Sequence, residues 1–148
     1  MITPLDRTSA CLWFPESAEY KDRELRLVLT EGAISKDTVQ VEILPGTTME
    51  GLNPIELPAG ARRILVHFED VKLLHVLDEV AYKVQPGERR DAGVIARHHN
   101  SALLRWLADC TKLIDIVPGE LFHYSVETAE DFYHVVSRLH PKVVEIEV

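Results

Sequence analysis

Cysteine is scarce in this sequence: Cys11 and Cys110 are the whole complement of 148 residues. Two cysteines cannot build a disulfide framework, and they fall short of the ligand sets of structural zinc sites. Cys110 lies within the apolar pattern "LLRWLADC", so a buried free thiol is the expectation there. Long hydrophobic runs are missing too, and nothing approaches the roughly 20 residues of a membrane-spanning helix. The opening stretch "MITPLDRTSACLWF" has neither a basic n-region nor a continuous apolar h-region. No signal peptide is therefore expected, and cytoplasmic residence is the default. The phosphate-cradling loops G-x-x-x-x-G-K-[ST] and G-x-G-x-x-G are absent. Aromatic residues make up 7% and do not interleave with Arg62-Arg63, Arg89-Arg90 or Arg97, as a single-strand nucleic-acid groove requires.

What the chain does have is acid. It carries 24 Asp+Glu against 16 Lys+Arg, a formal net charge of −8. The excess is uneven: residues 109–148 hold eight acids and three bases. Such a balance repels nucleic acid and anionic membranes and favours basic partners. With 46% hydrophobic and 27% charged residues the composition is that of a folded chain, and no repeat, low-complexity tract or linker divides it. One globular domain over 1–148 is expected.

The first half reads as strands. "RELRLVLT" alternates around Leu25, Leu27 and Leu29, and "TVQVEIL" around Val39, Val41 and Ile43, which suggests an antiparallel hairpin with a longer loop. Pro45-Gly46 ends the second run. Prolines in the following stretch leave room for only a short edge segment at Ile55–Leu57. "RRILVHF" and "VKLLHVL" flank Glu69-Asp70. If these two form a turn, His67 and His75 fall on opposite hairpin faces.

In the second half the period changes. "SALLRWLADCTKL" places Leu103, Leu104, Leu107 and Cys110 on one helical face, with Ser101 or Asn100 as N-cap. "ELFHYSV" reads as a strand. In "TAEDFYHVVSRLH", Thr128 and Asp131 match a T-x-x-D capping box, and Phe132, Val135, Val136 and Leu139 sit at helical spacing before Pro141. "KVVEIEV" offers a terminal strand. The expected class is α+β: an antiparallel sheet in the first half, with one or two helices and a terminal strand in the second. A sandwich-like arrangement is the nearest competitor.

Candidate chemistry centres on the histidines. His98 and His99 are adjacent, point in different directions on either helix or strand, and so do not easily share a metal. Glu130 and His134, at i and i+4 on the expected helix, give a solvated face. Ser125 and His123 share a strand face with Glu127, without the glycines of a nucleophile elbow. No ligand set at metal spacing is visible, so no metal and no cofactor are expected. The leading expectation is a non-catalytic acidic binding domain, for instance an inhibitor or immunity-type protein masking a basic effector such as a nuclease. Glu120, Glu127, Glu130 and Asp131 are its contact residues. The alternative is a small hydrolase or metal-dependent enzyme using some of His98, His99, His123 and His134. Convergence of histidines and carboxylates from distant segments separates the two.

Overall fold

The computed structural model describes residues 12–78 and 82–147. Antiparallel β-structure dominates. The first sheet is built from β1 (Leu12–Lys21), β2 (Glu24–Ile34), β6 (Arg63–Phe68) and β12 (Lys142–Ile146) in that order, with β5 (Ile55–Glu56) paired to the far end of β2. The β1–β2 hairpin closes on Asp22 and Arg23, both at positive φ (52° and 63°), as the two-residue turn that matches strand twist demands. The second sheet has the order β7 (Val71–Asp78), β11 (Asp131–Ser137), β10 (Phe122–Glu127), β9 (Ile95–His99), β8 (Arg89–Arg90).

One hydrophobic core draws on both sheets. Period-2 alternation turns Leu25, Leu27 and Leu29 of β2, and Ile64, Val66 and Phe68 of β6, to one side, where all are buried. Ile95, Tyr124, Val126, Tyr133 and Val135 of the second sheet complete the same cluster, with Trp13 beside them. At about 25 cal/mol per Å² of apolar surface removed from water, this shared face is the main stabilising element of the fold.

Two helices link β9 to β10: α1 (Ala102–Cys110) and the single turn α2 (Leu113–Ile116). Ser101 is the N-cap of α1, its hydroxyl accepting from the Leu104 amide at 3.1 Å. Leu107 is the only fully buried residue of α1. Cys110, at the end of its last turn, is exposed, which corrects the expected buried thiol, and Cys11 lies outside the described residues.

The structure departs from the sequence reading at three further places. Residues 131–137 form β11, not a helix, and Thr128 anchors the hairpin turn before it. Its hydroxyl donates to the Asp131 carbonyl (2.7 Å) and accepts from the amides of Glu130 (3.2 Å) and Asp131 (3.0 Å). The capping signature is real local hydrogen bonding, but a run of Phe, Tyr and paired Val buried on both faces prefers a central strand. Glu69-Asp70 does not close a hairpin. β6 and β7 lie in different sheets, and the chain crosses between them at Asp70 (φ 51°), with Phe68 and Val71 both in the core. Finally, β3 (Val39–Leu44) pairs not with β2 but with β4 (Thr47–Leu52), around a turn at Pro45 and Gly46. In this two-stranded ribbon every residue except Leu52 is exposed.

Candidate metal centre

Strands β10 and β11 are buried on both faces, and the face turned away from the core carries polar side chains. Register sets His134 opposite Ser125 and His75, and His123 opposite His98, which is opposite Arg90 in turn. Residues two apart share a face, so His98, His123, Ser125 and His134 project together while Tyr124, Val126, Tyr133 and Val135 enter the core. All four polar residues are at most 2% exposed. Their cover comes from Tyr82, whose ring lies 4.1 Å from that of His134, from Glu88, and from Ser101 at the head of α1. The rings of His98 and His123 stack 4.0 Å apart.

Each imidazole is held by a named partner. Glu88 Oε1 lies 3.1 Å from His98 Nδ1, and Ser125 Oγ lies 2.8 Å from His98 Nε2. Glu88 also accepts from the Tyr82 hydroxyl and, through Oε2, from the Ala102 amide at 2.7 Å. Ser101 Oγ is 2.7 Å from His123 Nδ1, and His123 Nε2 is 2.9 Å from His134 Nδ1. His134 Nε2 is buried with no hydrogen-bond partner among the described residues. A buried polar atom left in that state costs about 1–3 kcal/mol, so it calls for a ligand or a function.

Electrostatics keep the three rings neutral. Burial, reinforced by the neighbouring imidazoles, pushes His123 down to about 2 and His134 down to about 4. Burial lowers His98 as well, against the opposing pull of Glu88. Burial pushes the Glu88 carboxyl up, but hydrogen bonds from Tyr82, the Ala102 amide and His98 outweigh it and hold the group below the usual carboxylate range. The result is three neutral imidazoles: the ionised Glu88 carboxylate sits on His98, and the Arg90 guanidinium, held on Ser125, opposes further positive charge.

One nitrogen from each of His98, His123 and His134 lies within 4.8 Å of the other two. Tetrahedral ligands about 2.1 Å from a zinc-sized ion sit about 3.4 Å from one another, so ring rotations on the order of an ångström would close the set. The series Glu88, His98, Ser125 also follows the carboxylate–imidazole–hydroxyl order of nucleophilic catalysis. Ser125 is wholly buried, however, and accepts Arg90 Nε at 3.1 Å, so its hydroxyl holds His98 and is not presented to a substrate. A second group, Glu24, His67 and Glu69, is half-buried, and its carboxylates are already paired with Arg26 (3.3 Å) and Lys142 (2.8 Å).

Of the four histidines weighed from the sequence, His98, His123 and His134 converge. His99 points away and bonds Asp91 at 2.9 Å. Glu88, Tyr82 and Ser101 were missed. The signal for Ser101 was its cap position, while Glu88 sits in a polar loop that carries no local sign of burial. The acids Glu120, Glu127, Glu130 and Asp131 do not form one patch. Strand β10 separates Glu120 from the others by about 20 Å. Glu120 pairs with Arg97 (3.2 Å) and Glu127 with Arg90 (3.0 Å). Glu130 and Asp131 lie in the turn that Thr128 anchors. No protein-family model matches this chain, and neither a curated protein nor a solved structure does.

Proposed function

We propose that the protein is a metalloprotein in which His98, His123 and His134 hold one divalent ion of the zinc class, on the outer face of the second sheet of a sandwich-like fold. The observation that carries this reading is the direction of the two best-held rings. His98 and His123 each have Nδ1 tied to an outside oxygen, Glu88 and Ser101. Each therefore turns Nε2 the other way, toward Ser125 Oγ and His134 Nδ1, and an ion would have to displace both contacts. Outer partners of this kind fix tautomer and orientation in histidine metal sites and make the ligating nitrogen more basic. Neutral imidazoles suit zinc and its neighbours, whereas carboxylate-rich oxygen sites suit magnesium and calcium.

Three protein ligands leave a fourth position. In catalytic zinc sites that position holds water, whose pKa falls toward about 7, whereas structural sites are closed by a fourth protein ligand. Ser125 Oγ sits on the His98 Nε2 lone pair and must yield it to an ion. Tag-free protein should take up one zinc per chain by elemental analysis. Cobalt substitution should give the visible absorption of a four-coordinate site, and His134→Ala should lose both. Absence of uptake in the unaltered chain, or equal uptake in the variant, refutes the assignment.

The net charge of −8 favours a second reading, an acidic protein that attracts a basic partner, with Glu120, Glu127, Glu130 and Asp131 contributing from separate places on its surface. Charge reversal at these positions should then slow association with that partner at low salt and leave zinc uptake unchanged. An association rate indifferent to salt and to the reversals removes this reading.

A further inference from the structure

A cavity of about 360 Å³ opens between α1 and the adjoining ends of β9 and β10. Its lining includes His98, Ser101 and His123, which are at most 3% exposed, so the cavity adjoins two of the proposed ligands without opening on them. Its sides are apolar at Leu104 and Phe122 and basic at Arg97 and Arg105.

The two arginines differ in how they are held. Nη1 of Arg105 donates to the carbonyl and to the side-chain oxygen of Asn100, both at 2.9 Å. This fixes the guanidinium against a neutral partner, unlike the ion-paired Arg97. Arg97 lies across the Phe122 ring, 4.7 Å from the centroid, and reaches Glu120, which is 69% exposed. Among the lining residues themselves, two guanidinium groups stand against one solvated carboxylate, with Glu88 and Asp91 engaged by His98 and His99 behind them. Planar guanidinium donors match carboxylate and phosphate oxygens.

We infer that this cavity is an anion-binding pocket adjoining the metal centre. It takes a small molecule with an oxyanion, carboxylate or phosphate, seated on Arg105 and Arg97, and an apolar body laid against Leu104 and Phe122. Its link to a metal centre rests on the metal reading. The binding itself does not.

The test is calorimetric titration of zinc-treated and zinc-free protein with benzoate and with phenyl phosphate, and with benzyl alcohol as the uncharged probe. The two anions separate carboxylate from phosphate preference. At least one should bind saturably and more tightly than benzyl alcohol. Arg105→Gln should weaken it about tenfold or more, the loss of a charged hydrogen bond, without changing zinc content. Arg97→Gln should weaken it in the same sense. Failure of both anions to bind, or anion affinities that both variants leave unchanged, overturns the inference. If zinc is not taken up but Arg105-dependent binding persists, the pocket stands and the metal reading alone falls. If zinc is taken up and no anion binds, the pocket alone falls.

Discussion

His123 and His134 face each other on adjacent strands with Nε2 and Nδ1 2.9 Å apart, and each ring is neutral. One of the two nitrogens donates and the other accepts. If Ser101 donates to His123 Nδ1, then His123 donates to His134, and a proton is left on the unpartnered Nε2. With the opposite tautomers, a bare lone pair is left there instead. Either way the chain of hydrogen bonds that starts at the Leu104 amide ends on an unsatisfied atom.

An ion that accepts that lone pair should stabilise the fold. At a free zinc concentration about 100 times the dissociation constant, linkage predicts about 2.7 kcal/mol of added stability, reversed by a chelator. Urea melts with and without zinc check this, and His134→Ala should abolish the difference. An unmoved midpoint in the unaltered chain would mean that no ion binds the native state.

Acid should weaken the metal-free protein. Imidazoles in the unfolded chain titrate near 6.5, while burial holds His123 at about 2 and His134 at about 4 in the fold. Between about pH 6.5 and 4 the unfolded chain takes up protons that the folded chain refuses, so stability falls as pH drops through that window. The limiting slope is about 1.4 kcal/mol per pH unit for each group. Above about pH 6.5 both states are neutral at these sites and the dependence vanishes. Denaturation in urea at a series of pH values measures it. The slope should be shallower in His134→Phe, and an identical slope would assign the acid sensitivity to other groups.

Thr128→Ala should destabilise by about 1–3 kcal/mol, because the buried hydroxyl holds both the Glu130 and Asp131 amides and the Asp131 carbonyl. The far-ultraviolet circular dichroism of the variant should show no loss of helix. An unchanged denaturation midpoint would contradict the turn-anchoring role.

Gly32→Ala should also destabilise, by about 1–3 kcal/mol. A Cβ at Gly32 would lie 2.5 Å from Phe14 Cε2 and 2.9 Å from Cδ2, so the Phe14 ring must shift. A variant as stable as the parent would show that the ring moves freely.

Much of the sheet framework is legible locally. The alternation in "RELRLVLT" and "RRILVHF" marks β2 and β6, and Ser101 marks the start of α1. Strand partners are not legible, because pairing is a long-range property and neighbouring runs such as β6 and β7 can join different sheets. β11 looks helical in the sequence because a strand buried on both faces loses its alternation, and the spacing of Phe132, Val135, Val136 and Leu139 then imitates a helix. The same burial hides the histidine cluster. His98, His123 and His134 lie on three separate strands, with no ligand spacing to mark them, and only cross-strand register brings them together.

The β3–β4 ribbon carries one more consequence. Val39, Val41 and Ile43 are 40%, 44% and 53% exposed, so the ribbon is held by its own ladder with little packing behind it. A two-stranded hairpin alone is marginal in water. Its amides should therefore exchange with deuterium through small local openings. Those of β10, shielded by strands on either side, should wait for the whole molecule to unfold. An exchange map of this protein should show two populations, with the boundary falling between the ribbon and the sheets.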